Sequence, residues 1–118
     1  MIEVELDLDV LEELASLESV RPGLLARLID NFEHTRIAQL GELALARSMG
    51  DIERVRSLLH SLRGAAATLG MAGLARHVGT LEAAPERWMD DAQADAPLRA
   101  LTTDSLRALR SWAAARQP

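Results

Sequence analysis

The sequence predicts an all-α fold, an up-and-down four-helix bundle with a short additional N-terminal helix. Three observations carry that expectation. Apolar residues recur at spacings of three and four along most of the chain, and glycine or proline closes the periodic stretches. The apolar content is aliphatic, with only 3% aromatic residues and no Tyr. A core of Leu, Ala, Val and Ile suits close helix–helix packing, whereas sheets favour aromatic and β-branched side chains. With 118 residues there is material for one modest core, so residues 1–118 are expected to form a single helical domain.

The first helix is expected from about Asp9 to Leu17, capped by Asp9, with Glu12 three positions on and Val10, Leu11, Leu14 and Leu17 on one face. Upstream, the Ile2, Val4, Leu6 alternation is too short to claim as a strand. A second helix is expected from Pro22, a favoured first-turn residue, to about Met49. Its apolar clusters are Leu25, Leu28, Ile29 and Phe32, then Ile37, Leu40 and Ala44. The polar run Glu33 to Arg36 between them predicts partial exposure or a bend.

Gly50 stops this helix and Asp51 is placed to cap the third, from about Ile52 to Leu69. Val55, Leu58, Leu59, Leu62, Ala65, Ala66 and Leu69 define its buried side. Gly70 ends it, and a fourth helix follows with Leu74, Ala75, Val78 and Leu81 inward, stopping at Pro85. So short a connection forces these two helices to be antiparallel neighbours. Pro85 to Ala96 reads as a surface loop anchored by Trp88. Pro97 then opens a last helix to about Ala115, with Leu98, Leu101, Leu109 and Trp112 inward.

Composition excludes several functions. The formal net charge of −5 argues against nucleic acid as a partner, since phosphate binding relies on basic clusters. All 13 basic residues are Arg, a bias that bears on Arg63 below. Without cysteine there is no disulfide, thiolate nucleophile or Cys-based zinc site. No apolar run approaches the roughly 20 residues that span a bilayer. The start, Met1-Ile2-Glu3-Val4-Glu5, lacks the basic residues and apolar stretch of a signal peptide, so the cytoplasm is the expected location.

The far side of the third helix carries the chemistry. Glu53, Arg56, Ser57, His60, Arg63, Gly64, Ala67 and Met71 step at three and four and form one stripe. It is charged before His60 and almost bare of side chains after it. Gly64 is the oddity, because glycine inside a helix costs roughly 1 kcal/mol relative to alanine. Two explanations stand: another molecule must come close beside His60, or glycine relieves crowding against a neighbouring helix.

His60 lies one turn from Arg56 and one turn from Arg63. Flanking guanidinium groups favour a ring nitrogen left free as a nucleophile, and can later stabilise an attached phosphoryl group. Asp51 and Glu53 against Arg54, Arg56 and Arg63 leave one positive charge in excess locally. Taken alone, His60 is the kind of histidine that more often sits idle on a helix surface than works there.

The run His60-Ser61-Leu62-Arg63-Gly64-Ala65-Ala66-Ala67-Thr68-Leu69-Gly70 closely resembles the signature of histidine-containing phosphotransfer (HPt) domains, His-x-Leu-Lys-Gly-small-small-x-x-Leu-Gly. The resemblance extends to Phe32, Leu40, Ala44 and the Gly50-Asp51 turn upstream, and to Leu74 and the Leu81-Glu82 pair downstream. It implies a helical bundle with an exposed phosphoacceptor, His60, and with Arg63, Gly64, Arg56 and Ala67 contacting phosphate or partner. It implies a phosphorelay carrier passing a phosphoryl group between receiver domains, without ATP-dependent kinase activity. Response-regulator receiver domains are then the expected partners, with a hybrid sensor histidine kinase as a further candidate, and the chain is expected to be a monomer. No cofactor is expected on this chain; Mg²⁺ belongs to the receiver. Arg63 departs from the family's usual Lys, and in a chain without Lys compositional drift is the simpler explanation.

Other candidates are weaker. His34 reads as a surface residue and His77 as a half-buried packing residue. No i, i+4 histidine pair and no Glu-x-x-His run is present, so no metal site is expected. The phosphoacceptor helices of sensor kinases typically place an acidic residue after their His and a Pro five residues on; here those positions are Ser61 and Ala65. No Gly-rich loop follows a strand, so an ATP site of the P-loop or kinase type is not expected. The remaining rival is a helical adaptor that binds a receiver without transfer.

Overall fold

The computed structural model describes residues 3–116, so Ile2 of the upstream alternation lies outside them. They form six α-helices and no strand: α1 (Leu8–Ser16), α2 (Leu24–Ser48), α3 (Ile52–Thr68), α4 (Ala72–Ala83), α5 (Pro85–Asp90) and α6 (Asp95–Ala115). Consecutive long helices pack side by side, α2 on α3 and α3 on α4, and α6 closes the bundle against both α4 and α2. The all-α bundle expected from periodicity is therefore the fold.

The caps explain where the boundaries differ from expectation. Asp7, not Asp9, caps α1, accepting the Val10 N–H at 3.3 Å. A single 3-10 turn, Leu17–Ser19, follows α1. Pro22 does not open α2, because Gly23 stands at φ +83° and interrupts the helical path. Glu18 reaches across instead, its carboxylate accepting the N–H groups of Gly23 at 2.8 Å and Leu25 at 2.9 Å. Those donors would otherwise be unsatisfied at the helix start. Asp51 caps α3 as expected, accepting from Arg54 N–H at 3.1 Å.

The stretch from Pro85 is not a loop. Proline ends α4 but is suited to a first helical turn, so the chain turns at Ala84 and starts α5. Trp88, 1% exposed, is the anchor that was expected. Arg47 of α2 lies over its ring at 4.9 Å and donates to the Met89 carbonyl at 3.2 Å. The last helix starts at Asp95, with Pro97 in its first turn, where a missing N–H costs nothing.

The second apolar cluster of α2 is also corrected. The buried stripe runs Leu25, Ile29, Phe32, Arg36, Leu40, Leu43 and Ala46, which leaves Ile37 68% exposed and Ala44 exposed. The polar middle does not break this helix. Arg36 enters the bundle, its guanidinium 5.6 Å from the Phe32 ring and donating to Ser61 Oγ at 3.3 Å. Of the last helix's expected inward residues, Leu98, Leu101 and Leu109 are buried and Trp112 is half-buried.

The α3–α4 turn is held by the N-terminal segment. Asp7 N–H donates to the Gly70 carbonyl at 2.7 Å, and Gly73 N–H to that of Glu5 at 3.1 Å. Gly70 has φ +72°, and a Cβ there would lie 2.9 Å from Leu11. The turn that aligns α3 with α4 thus requires glycine twice over, for conformation and for space.

His77 on α4 is half-buried, with Nε2 lacking a partner. Burial lowers its pKa from the ordinary 6.5. Between 6.5 and that lowered value the unfolded chain holds the proton and the folded chain does not, so stability falls as pH drops through this window. Urea midpoints at pH 7.5 and 5.5 should fall less in His77→Gln than in the parent chain.

Candidate functional site

His60 stands in the middle of α3, its side chain 80% exposed. Its place follows from the helix's phase: Leu58, Leu59 and Leu62 are buried and turn the ring outward. Gly64 and Ala67, one and two turns on, are exposed as the stripe predicts. Met71 is not on that surface; it is fully buried just before α4, because the chain leaves the helical path at Gly70.

The residue that sequence reasoning did not place in the site is Glu82. It projects from α4 with only 13% of its side chain exposed. Its Oε1 lies 2.8 Å from His60 Nδ1, and its Oε2 accepts from Arg63 Nη1 at 3.1 Å. An ionised carboxylate can only accept, so Nδ1 carries the proton and, in the neutral ring, Nε2 is the free nitrogen. The carboxylate partner that no local spacing supplied comes from the neighbouring helix. The only sequence signal was the Leu81-Glu82 pair within the family resemblance.

Glu82 also revises the electrostatics expected of this face. Arg56 bonds Glu53 at 2.9 Å, and Arg63 bonds Glu82. His60 is therefore not flanked by two free guanidinium groups; it touches a carboxylate, and the local positive excess is cancelled. Arg63 reaches Glu82 by crossing Gly79, its Cδ 3.6 Å from where a Cβ would stand. Glu53, Arg56, Ser57, His60 and Glu82 surround a shallow open depression. His60, Arg63 and Glu82 form one connected cluster, with Arg56 at its edge.

The structure also separates the two explanations for Gly64. A Cβ there would meet nothing within 4 Å, so no neighbouring helix requires the glycine. What remains is a surface kept low beside an exposed imidazole.

Among the described residues, no three His, Asp or Glu side chains gather as metal ligands, and no helix is long and apolar enough to cross a membrane. His34 is exposed and His77 half-buried.

Comparison with curated proteins and with solved structures returned no match. The family model of the Hpt domain matches residues 3–112, essentially the whole chain. An exposed mid-helix histidine, a low surface beside it, an all-helical bundle and a match of this extent agree: the chain belongs to the Hpt domain family, the histidine phosphotransfer carriers of two-component signalling.

Proposed function

We propose that this chain is a phosphorelay carrier in which His60 accepts a phosphoryl group from an aspartyl phosphate of one receiver domain and passes it to an Asp of another. The observation that carries the reading is the contact between Glu82 and His60 Nδ1, which leaves Nε2 offered to solvent. The Nε2 lone pair attacks phosphorus, the P–O bond of the acyl phosphate breaks, and the Asp carboxylate departs with the bonding pair. The ring becomes positively charged, and Glu82 beside Nδ1 offsets that charge. Onward transfer to a second Asp reverses these steps.

Most of the catalytic apparatus belongs to the docked receiver, whose Mg²⁺ neutralises the transferring group. This chain supplies the nucleophile, its orientation and a surface on which the receiver sits. Gly64 and Ala67 form the low ledge for that contact. Arg63, half-exposed and one turn from His60, is placed to leave Glu82 for the phosphoryl oxygens. Nothing in this role needs ATP, and the expected setting is a cytoplasmic monomer.

The test is incubation with phosphorylated receiver domains from the source organism, followed over time. Label should move onto this chain and be stable in base but labile in acid. Self-labelling with ATP alone would replace this reading with a kinase. A receiver that binds but never transfers would replace it with an adaptor.

Gly64→Gln tests the ledge. Because the position is open and helical, the isolated fold should be stabilised by about 0.5 kcal/mol, while transfer slows by about tenfold or more, the equivalent of some 1.4 kcal/mol of lost docking. Gly41→Ala is the control. It too is a helical glycine with nothing within 4 Å, and it should gain about 1 kcal/mol with transfer rate unchanged.

A further inference from the structure

A groove of about 520 Å³ runs between α2 and α6, within the roughly 300–1,000 Å³ of small-molecule sites. Phe32, Ile37 and Leu40 line one side, and Thr102, Leu106 and Ala114 the other. It extends over two turns of α2 and more than three of α6, so it is long and mostly apolar. The His60 cluster takes no part in it.

Its charges are nearly all accounted for. Arg107 bonds Asp104 at 3.1 Å, and Arg110 bonds Asp30 at 3.0 Å and Glu33 at 3.1 Å. Arg36 is the exception. It lines the groove, is 8% exposed, and has no carboxylate partner among the described residues. Among the described residues its only hydrogen bond is to Ser61 Oγ, and its Nε is buried with no acceptor. Burial lowers its pKa, as expected of a cation removed from water without a counter-ion. Within this groove a single buried positive charge is unmatched, beside an apolar trough open to solvent.

We propose that the α2–α6 groove binds an elongated apolar small molecule with one carboxylate head, the head on Arg36 and the tail along Phe32, Ile37, Leu40 and Leu106. A guanidinium is a fork that receives a carboxylate by two parallel hydrogen bonds. One unmatched cation selects one negative charge, which favours a monoanionic ligand over an acidic protein segment carrying several. The exposed Ile37 then has a use, as the rim covering the tail.

Decanoate and decan-1-ol, below their solubility limits, are the probes, titrated into the full chain and followed by amide chemical shifts. Decanoate should shift residues 36, 37, 102 and 106 and bind about tenfold or more tightly than the alcohol. Arg36→Met, which replaces the buried charge with an apolar chain of similar length, should abolish that preference. Leu106→Trp should fill the groove and remove binding of both probes. Equal affinity for acid and alcohol, a preference that survives Arg36→Met, or shifts mapping elsewhere would overturn the proposal. So would a concentration-dependent dimer in sedimentation that buries the groove against a second copy.

Discussion

His60→Gln is expected to abolish acceptance of the phosphoryl group while leaving the fold intact. The side chain is 80% exposed and its ring bonds to Glu82, so the substitution should change stability by no more than about 0.5 kcal/mol. A carboxamide has no basic nitrogen with a free lone pair, so the nucleophile is lost while size and polarity are kept. Label that persisted on this variant would remove His60 from the mechanism. Glu82→Gln is the informative companion. It retains a hydrogen-bond acceptor at Nδ1 but loses the charge facing the ring as it becomes cationic. A charge-assisted hydrogen bond contributes about 1.5–3 kcal/mol, so transfer should slow by about ten- to a hundredfold without loss of the acceptor itself. Separating the two variants distinguishes the nucleophile from the group that orients it.

Trp88→Ala should be the most destabilising single change, by about 3–5 kcal/mol out of the roughly 5–15 kcal/mol typical of a domain. Trp88 is the largest fully buried side chain. It anchors α5, a helix of only six residues that has little else to bury. Its ring also receives Arg47, whose guanidinium bonds the carbonyls of Met89 and Asp91 and so ties α2 to α5. Removing the indole leaves a cavity and releases that cation together. Urea unfolding should show a large drop in midpoint; a drop equivalent to less than about 1 kcal/mol would mean that α5 carries little of the bundle's stability.

The first and last turns of the helices divide into those set by neighbouring residues and those set from farther along the chain. Asp51 is legible as a cap because its partner, Arg54 N–H, is three residues away. Glu18 is not legible as a cap, because it acts from seven residues upstream, around a left-handed Gly23. The helix α5 has only six residues, too few for periodicity to register, although Trp88 reads as an anchor from sequence. On α2 the buried stripe takes Arg36 and Leu43 where periodicity predicts Ile37 and Ala44, while Leu40 is buried as expected. Arg36 entered the core and Ile37 left it, a choice that depended on Phe32 and Ser61 being there to receive a guanidinium.

The sequence by itself determined the helical class, the placement of His60 on an outward face, and the bare surface at Gly64 and Ala67. These are properties of one helix, encoded by residues within a turn or two of each other. Only the tertiary structure decided which nitrogen of His60 is free, because the carboxylate that holds the other arrives from α4, 22 residues away. It also decided that Gly64 relieves no crowding and that Arg36 is buried without a counter-ion among the described residues. Each of those outcomes is set by what a second helix brings alongside, and helical periodicity specifies a face without naming its neighbour.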